Sequence, residues 1–241
     1  MPESVKLFDT ASARLVSLQR SPPAGGGRAQ CTSVAESPEQ NPSYQRILDS
    51  AQALFIEQGF PATSMEAIAR RASVVRATVY NNFSHKEAIV GEIMRRYIEG
   101  YVEIPQRLRE EARPEQTSFE LVEAMIRGAI LWRIENAELR PLIDLSKHLP
   151  NSSWGELNAA ADAAMLGWIG EIHRVDARRG LIREGLDLDF ATSALYSMIE
   201  SVLASFDVGA SRRRVDDAVR QLALLHWHAL YRVEPDEVDN A

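Results

Sequence analysis

The stretch VVRATVYNNFSHKE, residues 74–87, decides the fold of this chain. Val79 and Phe83 are four residues apart, so a helix over about Arg76–Asn82 places both side chains on one face, where they can be buried. Val75 extends this apolar row by one more turn. The opposite face is polar and carries Arg76, Thr78, Asn81 and Asn82. The pattern predicts a short helix that is held by one apolar edge and presents polar side chains outward.

Two further helices are predicted before this stretch. Residues 42–58 carry an apolar stripe at helical spacing, which predicts a first helix from about Pro42 to Gln58. In the segment ATSMEAIARRA, residues 62–72, Thr63 or Ser64 is a typical N-cap for a second helix. Only about four residues then separate the second helix from the third.

A fourth helix is predicted after this stretch. Ser84, followed three residues later by Glu87, has the spacing of a capping box at a helix start. Two short helices joined by a tight turn, with another helix packed across them, form a helix-turn-helix motif. We place this motif at about residues 64–83.

Composition bounds the class of protein. The chain has 241 residues, of which 45% are hydrophobic, so one or two domains with a sizeable core are expected. A single cysteine, Cys31, leaves no intrachain disulfide or cysteine metal cluster. We find neither an apolar run of about 18 residues nor a signal peptide. These features favour a cytoplasmic protein that has no membrane partner.

The charge distribution permits DNA binding although the net charge is −7. Residues 42–100 carry seven Lys or Arg and six Asp or Glu, whereas residues 101–241 carry 16 and 24. The acidity therefore lies in the C-terminal part. The N-terminal helices remain able to contact phosphates locally.

Residues 1–41 are rich in Pro, Gly, Ser and Gln and show little periodicity. This composition predicts a mostly disordered arm. The favoured interpretation is a linker, or a start codon assigned too far upstream. The alternative is a basic arm that reaches a DNA minor groove through Arg20 and Arg28.

Residues 45–97 resemble the DNA-binding head of the TetR family of transcriptional regulators. Many positions match the family's pattern, and the spacing between them is kept without insertion. They are Ile47, Leu48, Ala51, Leu54, Phe55, Gly59, Phe60, Thr63, Ser64, Ile68, Ala69, Ala72, Val74, Thr78, Tyr80, Phe83, Lys86 and Glu87. The C-terminal part resembles the family only in its length, its helical pattern and small fragments.

The resemblance implies roles for nine residues of the head. Phosphate contacts are implied at the start of the second helix, through Thr63 and Ser64. Thr78, Tyr80 and Lys86 are implied to hold the DNA backbone. Base edges are implied to face Arg76, Ala77, Asn81 and Asn82, because Arg suits guanine, Asn suits adenine and the Ala methyl suits thymine.

Two positions depart from the family's pattern. The family has Gly in the turn and Ser or Thr as the cap of the third helix, where this chain has Ser73 and Val75. Ser73 can adopt a left-handed conformation at a modest cost. Val75 cannot accept the capping hydrogen bond, which costs roughly 1 kcal/mol. We expect the fold to tolerate both changes.

The rest of the chain is predicted to be helical. Apolar residues recur at helical spacing over about 117–135, from Trp154 to near Gly180, over about 189–207 and over about 212–232. The sequence thus predicts an all-α protein. Its parts are the arm (1–41), a helix-turn-helix domain (42–92), a helical regulatory and dimerisation domain (93–234) and a flexible tail (235–241).

The last predicted helix carries two neighbouring apolar stripes. One stripe can pack on the chain's own core, and the other needs a partner, so we expect a homodimer. The seam assigned to the dimer is Val215, Ala218, Leu222, Leu225 and Ala229. A dimer can also read two DNA half-sites, which one short reading helix cannot do.

The resemblance further implies a pocket for a small-molecule effector among the middle helices. Candidate lining residues are Trp132, His148, Trp154, Met165, Trp168 and Ile172, although aromatic residues at helical spacing more often belong to the core. No cofactor or metal site is predicted. The two histidines of HWH, residues 226–228, fall on different faces of a helix.

The sequence therefore favours a DNA-binding transcriptional regulator in the form of a homodimeric repressor that a small-molecule ligand releases from double-stranded DNA. The alternative is a helical protein-interaction module with a vestigial helix-turn-helix. An enzyme is not expected, since no catalytic motif is visible.

Overall fold

The computed structural model describes residues 41–113, 116–149, 153–206 and 209–235. Its α-helices are α1 (Pro42–Gln58), α2 (Met65–Arg71), α3 (Arg76–Asn82), α4 (Lys86–Glu111), α5 (Ser118–Glu135), α6 (Arg140–Ser146), α7 (Trp154–Arg178), α8 (Leu188–Leu203) and α9 (Arg212–Leu230). In these ranges the β-type pairing is limited to one isolated bridge between Ile182 and Tyr231. The predicted all-α fold is confirmed. Residues 1–40 and 236–241, which hold most of the predicted arm and tail, lie outside the described residues.

The chain divides into two compact units. Of the described residues, the first unit contains those up to Arg96 together with those between Pro141 and Ala160, and the second contains those between Tyr97 and Arg140 and those from Ala161 onward. The sequence placed this division at residues 92 and 93, four residues earlier along α4. It also assigned α6 and the start of α7 to the second domain, whereas they group with the first unit.

The first unit is built around α1. Its apolar stripe is buried, with Ile47, Leu48 and Ala51 at most 1% exposed. In this unit, α2 and α3 contact α1 and also contact each other. At the start of α1, the ring of Tyr44 stacks on Phe83 with their centroids 5.0 Å apart. Phe83 thereby anchors the C-terminal end of α3 to α1.

The second unit is centred on α5 and α9, which pack against each other. Phe119 of α5 meets Trp227 of α9 edge to face, with ring centroids 5.5 Å apart. Trp227 is fully buried and stacks at 3.6 Å on Tyr231, just beyond the end of α9. The first pair joins two helices that are distant in sequence, and the second pair lies at the C-terminal end of α9. This aromatic cluster therefore stabilises the core of the unit.

Two helix ends differ from the prediction. The fourth helix begins at Lys86, and the backbone N–H of Ala88 donates to Nδ1 of His85 at 3.2 Å. His85 therefore takes the N-cap position that was predicted for Ser84. The helix predicted for residues 189–207 ends earlier, at Leu203.

Candidate nucleic-acid interface

Ser73 makes the tight turn between α2 and α3. Its φ of 54° lies in the left-handed region, and it is the one described residue other than glycine with a positive φ. The backbone N–H of Val74 donates to the carbonyl of Ala69 at 3.0 Å, which closes the end of α2. Left-handed serine costs roughly 1–2 kcal/mol. Ser73 adopts this conformation despite its cost, and the chain then turns into α3.

Val75 is the N-cap residue of α3, as the sequence indicated, and its side chain makes no capping hydrogen bond. Its predicted burial is wrong, because the side chain is 70% exposed. Val75 has an extended backbone, with φ −74° and ψ 150°. It therefore stands outside the helical row that Val79 and Phe83 form, and that row is buried.

Thr63 does not present its hydroxyl to solvent. The residue is 1% exposed, and its hydroxyl lies 2.9 Å from the carbonyl oxygen of Gly59, to which it donates, and 3.1 Å from the Nε2 of Gln58. The prediction of a phosphate contact is corrected here, because these bonds use the hydroxyl to hold the loop after α1. The neighbouring Ser64 is exposed and caps α2, accepting from the N–H of Ala67 at 3.1 Å.

Arg76 is held in place while its side chain stays 63% exposed. Its guanidinium forms an ion pair with Glu66 of α2 at 2.9 Å. It also lies 3.4 Å from the hydroxyl of Tyr80 and 5.2 Å from the centre of that ring. The hydrogen bond with the Tyr80 hydroxyl and the charge of Glu66 raise the pKa of the Arg76 guanidinium further. These contacts preorganise a cation at the first turn of α3.

Asn81 and Asn82 differ although they are neighbours. Asn81 is exposed. Asn82 is half-buried, and its Nδ2 donates to the backbone carbonyl of Thr78 at 2.7 Å. Reading adenine requires both the donor and the acceptor of the amide. One Nδ2 hydrogen of Asn82 is held by this bond within α3, which leaves Asn81 as the exposed asparagine of the two.

Lys86 also makes an internal contact. Its Nζ donates to the carbonyl of Phe60 at 2.8 Å and lies 4.4 Å from the centre of the Phe60 ring. The resemblance implied a backbone phosphate as its partner. In the structure the ammonium instead joins the start of α4 to the loop after α1. The positions of α3 that are left exposed are Arg76, Ala77, Tyr80 and Asn81, and Thr78 is half-buried.

The predicted effector residues are not gathered in one site. Met165 lines a cavity of the second unit together with residues of α4, α5, α8 and α9. Trp132 lines a separate open cleft of about 220 Å³ between α4 and α5. Trp168 is buried, Ile172 is half-buried, and neither lines this cavity. His148 is exposed and lies with Trp154 in the first unit, so these two do not contribute to it.

The five residues predicted for the dimer seam differ in how far they are buried. Val215 and Leu222 are each 4% exposed and belong to the core of the chain itself, so their assignment to a partner contact is corrected. Leu225 is 55% exposed, Ala229 is exposed and Ala218 is half-buried. These three lie along one edge of α9, beside the buried stripe.

The sequence reasoning missed a buried histidine pair. The Nε2 atoms of His173 in α7 and His226 in α9 lie 2.8 Å apart, and Nδ1 of His173 is 2.7 Å from the hydroxyl of Thr192. Burial lowers the pKa of His226 to about 4. Burial, together with His226 and Arg174, lowers the pKa of His173 to about 3. The available signal was that His226 falls on the inner apolar stripe of the last helix.

A helix-turn-helix with an exposed polar face, followed by an all-helical second unit, defines the class of helical DNA-binding regulators. Residues 47–93 match the family model described as bacterial regulatory proteins, tetR family. This match identifies residues 47–93 as a DNA-binding head of the kind found in TetR-family transcriptional regulators. The proteins that the chain resembles are transcriptional regulators and not enzymes. Within the described residues, no helix is long and apolar enough to cross a membrane.

Relatives are similar mainly over the head. The HTH-type regulator YvkB of Bacillus subtilis, named as uncharacterized, is 38% identical over 53 residues, which are 22% of this chain and 28% of YvkB. The fatty acid metabolism regulator protein of the same species is 22% identical over 171 residues, or 70% of this chain and 85% of that one. A solved TetR-family regulator from Mesorhizobium loti has a TM-score of 0.64 at 22% identity, covering 81% of this chain and all of the other.

Proposed function

We propose that this chain is a homodimeric repressor that binds a pseudo-palindromic DNA operator and is released by a small-molecule effector. The observation that carries the proposal is the exposed face of α3, on which Arg76, Ala77 and Asn81 lie together. These side chains suit guanine, the thymine methyl and adenine respectively in a major groove. The Ser73 turn and the Glu66–Arg76 ion pair hold this face in one orientation.

Phosphate contacts come from the residues around this face. Tyr80 is 41% exposed and can place its hydroxyl on the DNA backbone, and the hydroxyl of Ser64 is exposed at the start of α2. Thr63 and Lys86 contribute by holding the loop between α1 and α2. Affinity then depends on few direct phosphate contacts in each head, so one head alone binds weakly.

The dimer contact is proposed on α8 and α9. Leu225, Ala218 and Ala229 form the edge of α9 that the chain's own core leaves open. On α8, Phe190 is 74% exposed, and Ala194, Ser197 and Ser201 follow it at helical spacing on the same exposed face. Small side chains allow the helices of two chains to approach closely, with Phe190 and Leu225 supplying apolar area.

The effector is proposed to bind in the second unit. The relative named as a fatty acid metabolism regulator supports an apolar class of effector. Tyr101 lines the cavity of this unit, and it belongs to α4, whose first residues pack in the first unit. A ligand that displaces Tyr101 thus acts on a helix that contributes residues to both units. The protein is proposed to act in the cytoplasm, where its DNA is.

The proposal is tested by fluorescence anisotropy on DNA from upstream of the protein's own gene and on a scrambled duplex of equal composition. We expect tighter binding of the upstream DNA and an affinity that falls steeply with salt. Leu225→Arg should lower the affinity at least about tenfold and give a monomer in sedimentation, because it places a charge in the dimer contact. Leu131→Arg, at an exposed leucine of α5, is the matched control and should leave both properties unchanged.

Equal binding of the two duplexes would contradict the proposal. It would favour the alternative, in which the helix-turn-helix is vestigial and the protein acts through contacts with other proteins. A dimeric Leu225→Arg variant with full affinity would contradict the assigned dimer contact.

A further inference from the structure

The buried pair His173 and His226 is continued by a short chain of hydrogen bonds in the second unit. The Nε2 atoms of the two rings are 2.8 Å apart. The hydroxyl of Thr192 is 2.7 Å from Nδ1 of His173 and also 2.7 Å from the carbonyl oxygen of Leu188. His173, Thr192 and His226 are each at most 4% exposed. Because these side chains are buried, the donor and the acceptor of each hydrogen bond follow from the protein groups alone.

The carbonyl of Leu188 sets the direction of the chain. A carbonyl only accepts, so the single hydroxyl hydrogen of Thr192 is donated to it, and the Thr192 oxygen must accept from Nδ1–H of His173. A neutral imidazole carries one N–H, so Nε2 of His173 accepts from Nε2–H of His226. Both rings are neutral at pH 7, because burial holds their pKa values far below it. Nδ1 of His226 therefore has a lone pair and no hydrogen.

This Nδ1 atom is a buried acceptor. His226 is 1% exposed, and among the residues that the structure describes Nδ1 has no hydrogen-bond partner. A buried acceptor left without a donor costs about 1–3 kcal/mol. Native proteins leave few such atoms, so each one calls for an explanation, such as a functional role.

His226 lines a cavity of the second unit, whereas His173 does not. His226 thus joins the hydrogen-bonded pair to the cavity wall. The walls are otherwise mainly apolar: Val122, Met125, Ile126, Ala129, Met165, Ile169, Ile199 and Leu203. The cavity has a volume of about 20 Å³, room for one small polar group. Met125 and Met165 have flexible side chains that can turn to admit a larger apolar body.

The charge around the cavity disfavours an anion. Glu200 lines it, and its carboxylate accepts from the hydroxyl of Tyr101 at 2.8 Å and pairs with Arg133. Among the described lining residues there is no Lys or Arg. A carboxylate or phosphate ligand would be desolvated next to Glu200 without a cation of its own.

We propose that this cavity binds a neutral, largely apolar molecule whose hydroxyl or N–H group donates a hydrogen bond to Nδ1 of His226. The inference deepens the proposed function, since it rests on this unit holding the effector site. It names the effector's class as a neutral hydrogen-bond donor and excludes long-chain carboxylates.

Indole and benzofuran form a matched pair of probes, because they have nearly the same shape. Indole has an N–H donor at the position where benzofuran has an oxygen acceptor. We expect the full-length protein to bind indole about fivefold to tenfold more tightly than benzofuran in calorimetry, the effect of one net hydrogen bond. Equal affinities, a preference for benzofuran, or binding of neither probe would overturn the proposal.

Thr192→Val tests the hydrogen-bond chain without touching the cavity. Thr192 is not among the lining residues, and Val keeps its shape. Without the Thr192 hydroxyl, no acceptor holds the imidazole hydrogen of His173 on Nδ1. The ratio of the affinities for indole and benzofuran should therefore fall towards one. Ser205→Ala removes a similar hydroxyl-to-carbonyl bond just beyond α8, from Ser205 to Val202, and should keep the preference. An unchanged preference in Thr192→Val would overturn the proposed chain.

Imidazole nitrogen NMR of the unaltered protein gives a readout that requires no variant to fold. Nδ1 of His226 should resonate as a bare nitrogen and shift towards the protonated range with indole but not with benzofuran. A protonated Nδ1 in the free protein would overturn the proposal. Sequence-specific DNA binding is measured on the same preparation without ligand, so its failure counts against the proposed function alone.

Discussion

Ser73 and Val75 show how single residues determine the geometry of the reading helix. Ser73 takes a left-handed conformation that glycine would adopt at lower cost. Val75 begins α3 with an exposed apolar side chain and no capping bond. The orientation of α3 is nonetheless maintained, because Val79 and Phe83 are buried and Arg76 pairs with Glu66.

Val75→Ser should raise the free energy of unfolding by about 1 kcal/mol. A serine hydroxyl at this position can accept from a free N–H in the first turn of α3, and the extended backbone is already that of an N-cap residue. Urea denaturation measures the change. Val74→Ser, one residue earlier and outside the cap position, is the control and should not stabilise. A Val75→Ser variant no more stable than the natural protein would contradict this description of the helix start.

At the residue scale, local roles could be predicted from the sequence and distant partners could not. The bounds of α3 and the cap by Ser64 follow from spacing within a few residues. The partner of Lys86 is distant in sequence, because its ammonium binds the carbonyl of Phe60, 26 residues away. The hydroxyl of Thr63 turns inward to the carbonyl of Gly59, and the spacing of residues does not reveal this direction. The difference between Asn81 and Asn82 arises from a side-chain rotamer that no spacing reveals.

At the scale of elements, α4 and α5 approach closely at glycines. A Cβ on Gly100 of α4 would overlap with the indole of Trp132 in α5. A Cβ on Gly128 of α5 would lie 2.8 Å from the Cγ2 of Ile104 in α4. The sequence predicted both helices, but it assigned Trp132 to an effector pocket. The indole instead packs where Gly100 leaves space for it, and this could not be predicted because helix spacing depends on tertiary packing.

Gly100→Ala should lower the free energy of unfolding by about 1–3 kcal/mol, because the indole must move out of a packed position. Gly91→Ala is the matched control in the same helix, where no atom lies within 4 Å of the added Cβ. It should stabilise by up to about 1 kcal/mol through the better helix propensity of alanine. Thermal unfolding measures the change in the free energy of unfolding of each variant. A stabilising Gly100→Ala would contradict the close approach of α4 and α5.

At the scale of the whole molecule, sequence specificity requires two reading helices. α3 has seven residues and offers few exposed side chains to base edges. A twofold dimer presents two copies of this face to half-sites roughly 34–36 Å apart, or a multiple of that spacing, along DNA. The all-α architecture and the DNA-binding head could be predicted from periodicity and from the resemblance. The burial of Val215 and Leu222 could not, since both apolar edges of α9 look alike in sequence.

The central claim is that α3 reads bases through Asn81, while Asn82 supports the helix. The most direct measurement is the affinity of Asn81→Ala and of Asn82→Ala for an operator and for its single-base-pair variants, by fluorescence anisotropy at fixed salt. Asn81→Ala should lose about 1–3 kcal/mol of discrimination at one base pair in each half-site. Asn82→Ala should keep that discrimination. Loss of discrimination in Asn82→Ala, with Asn81→Ala unaffected, would contradict the account.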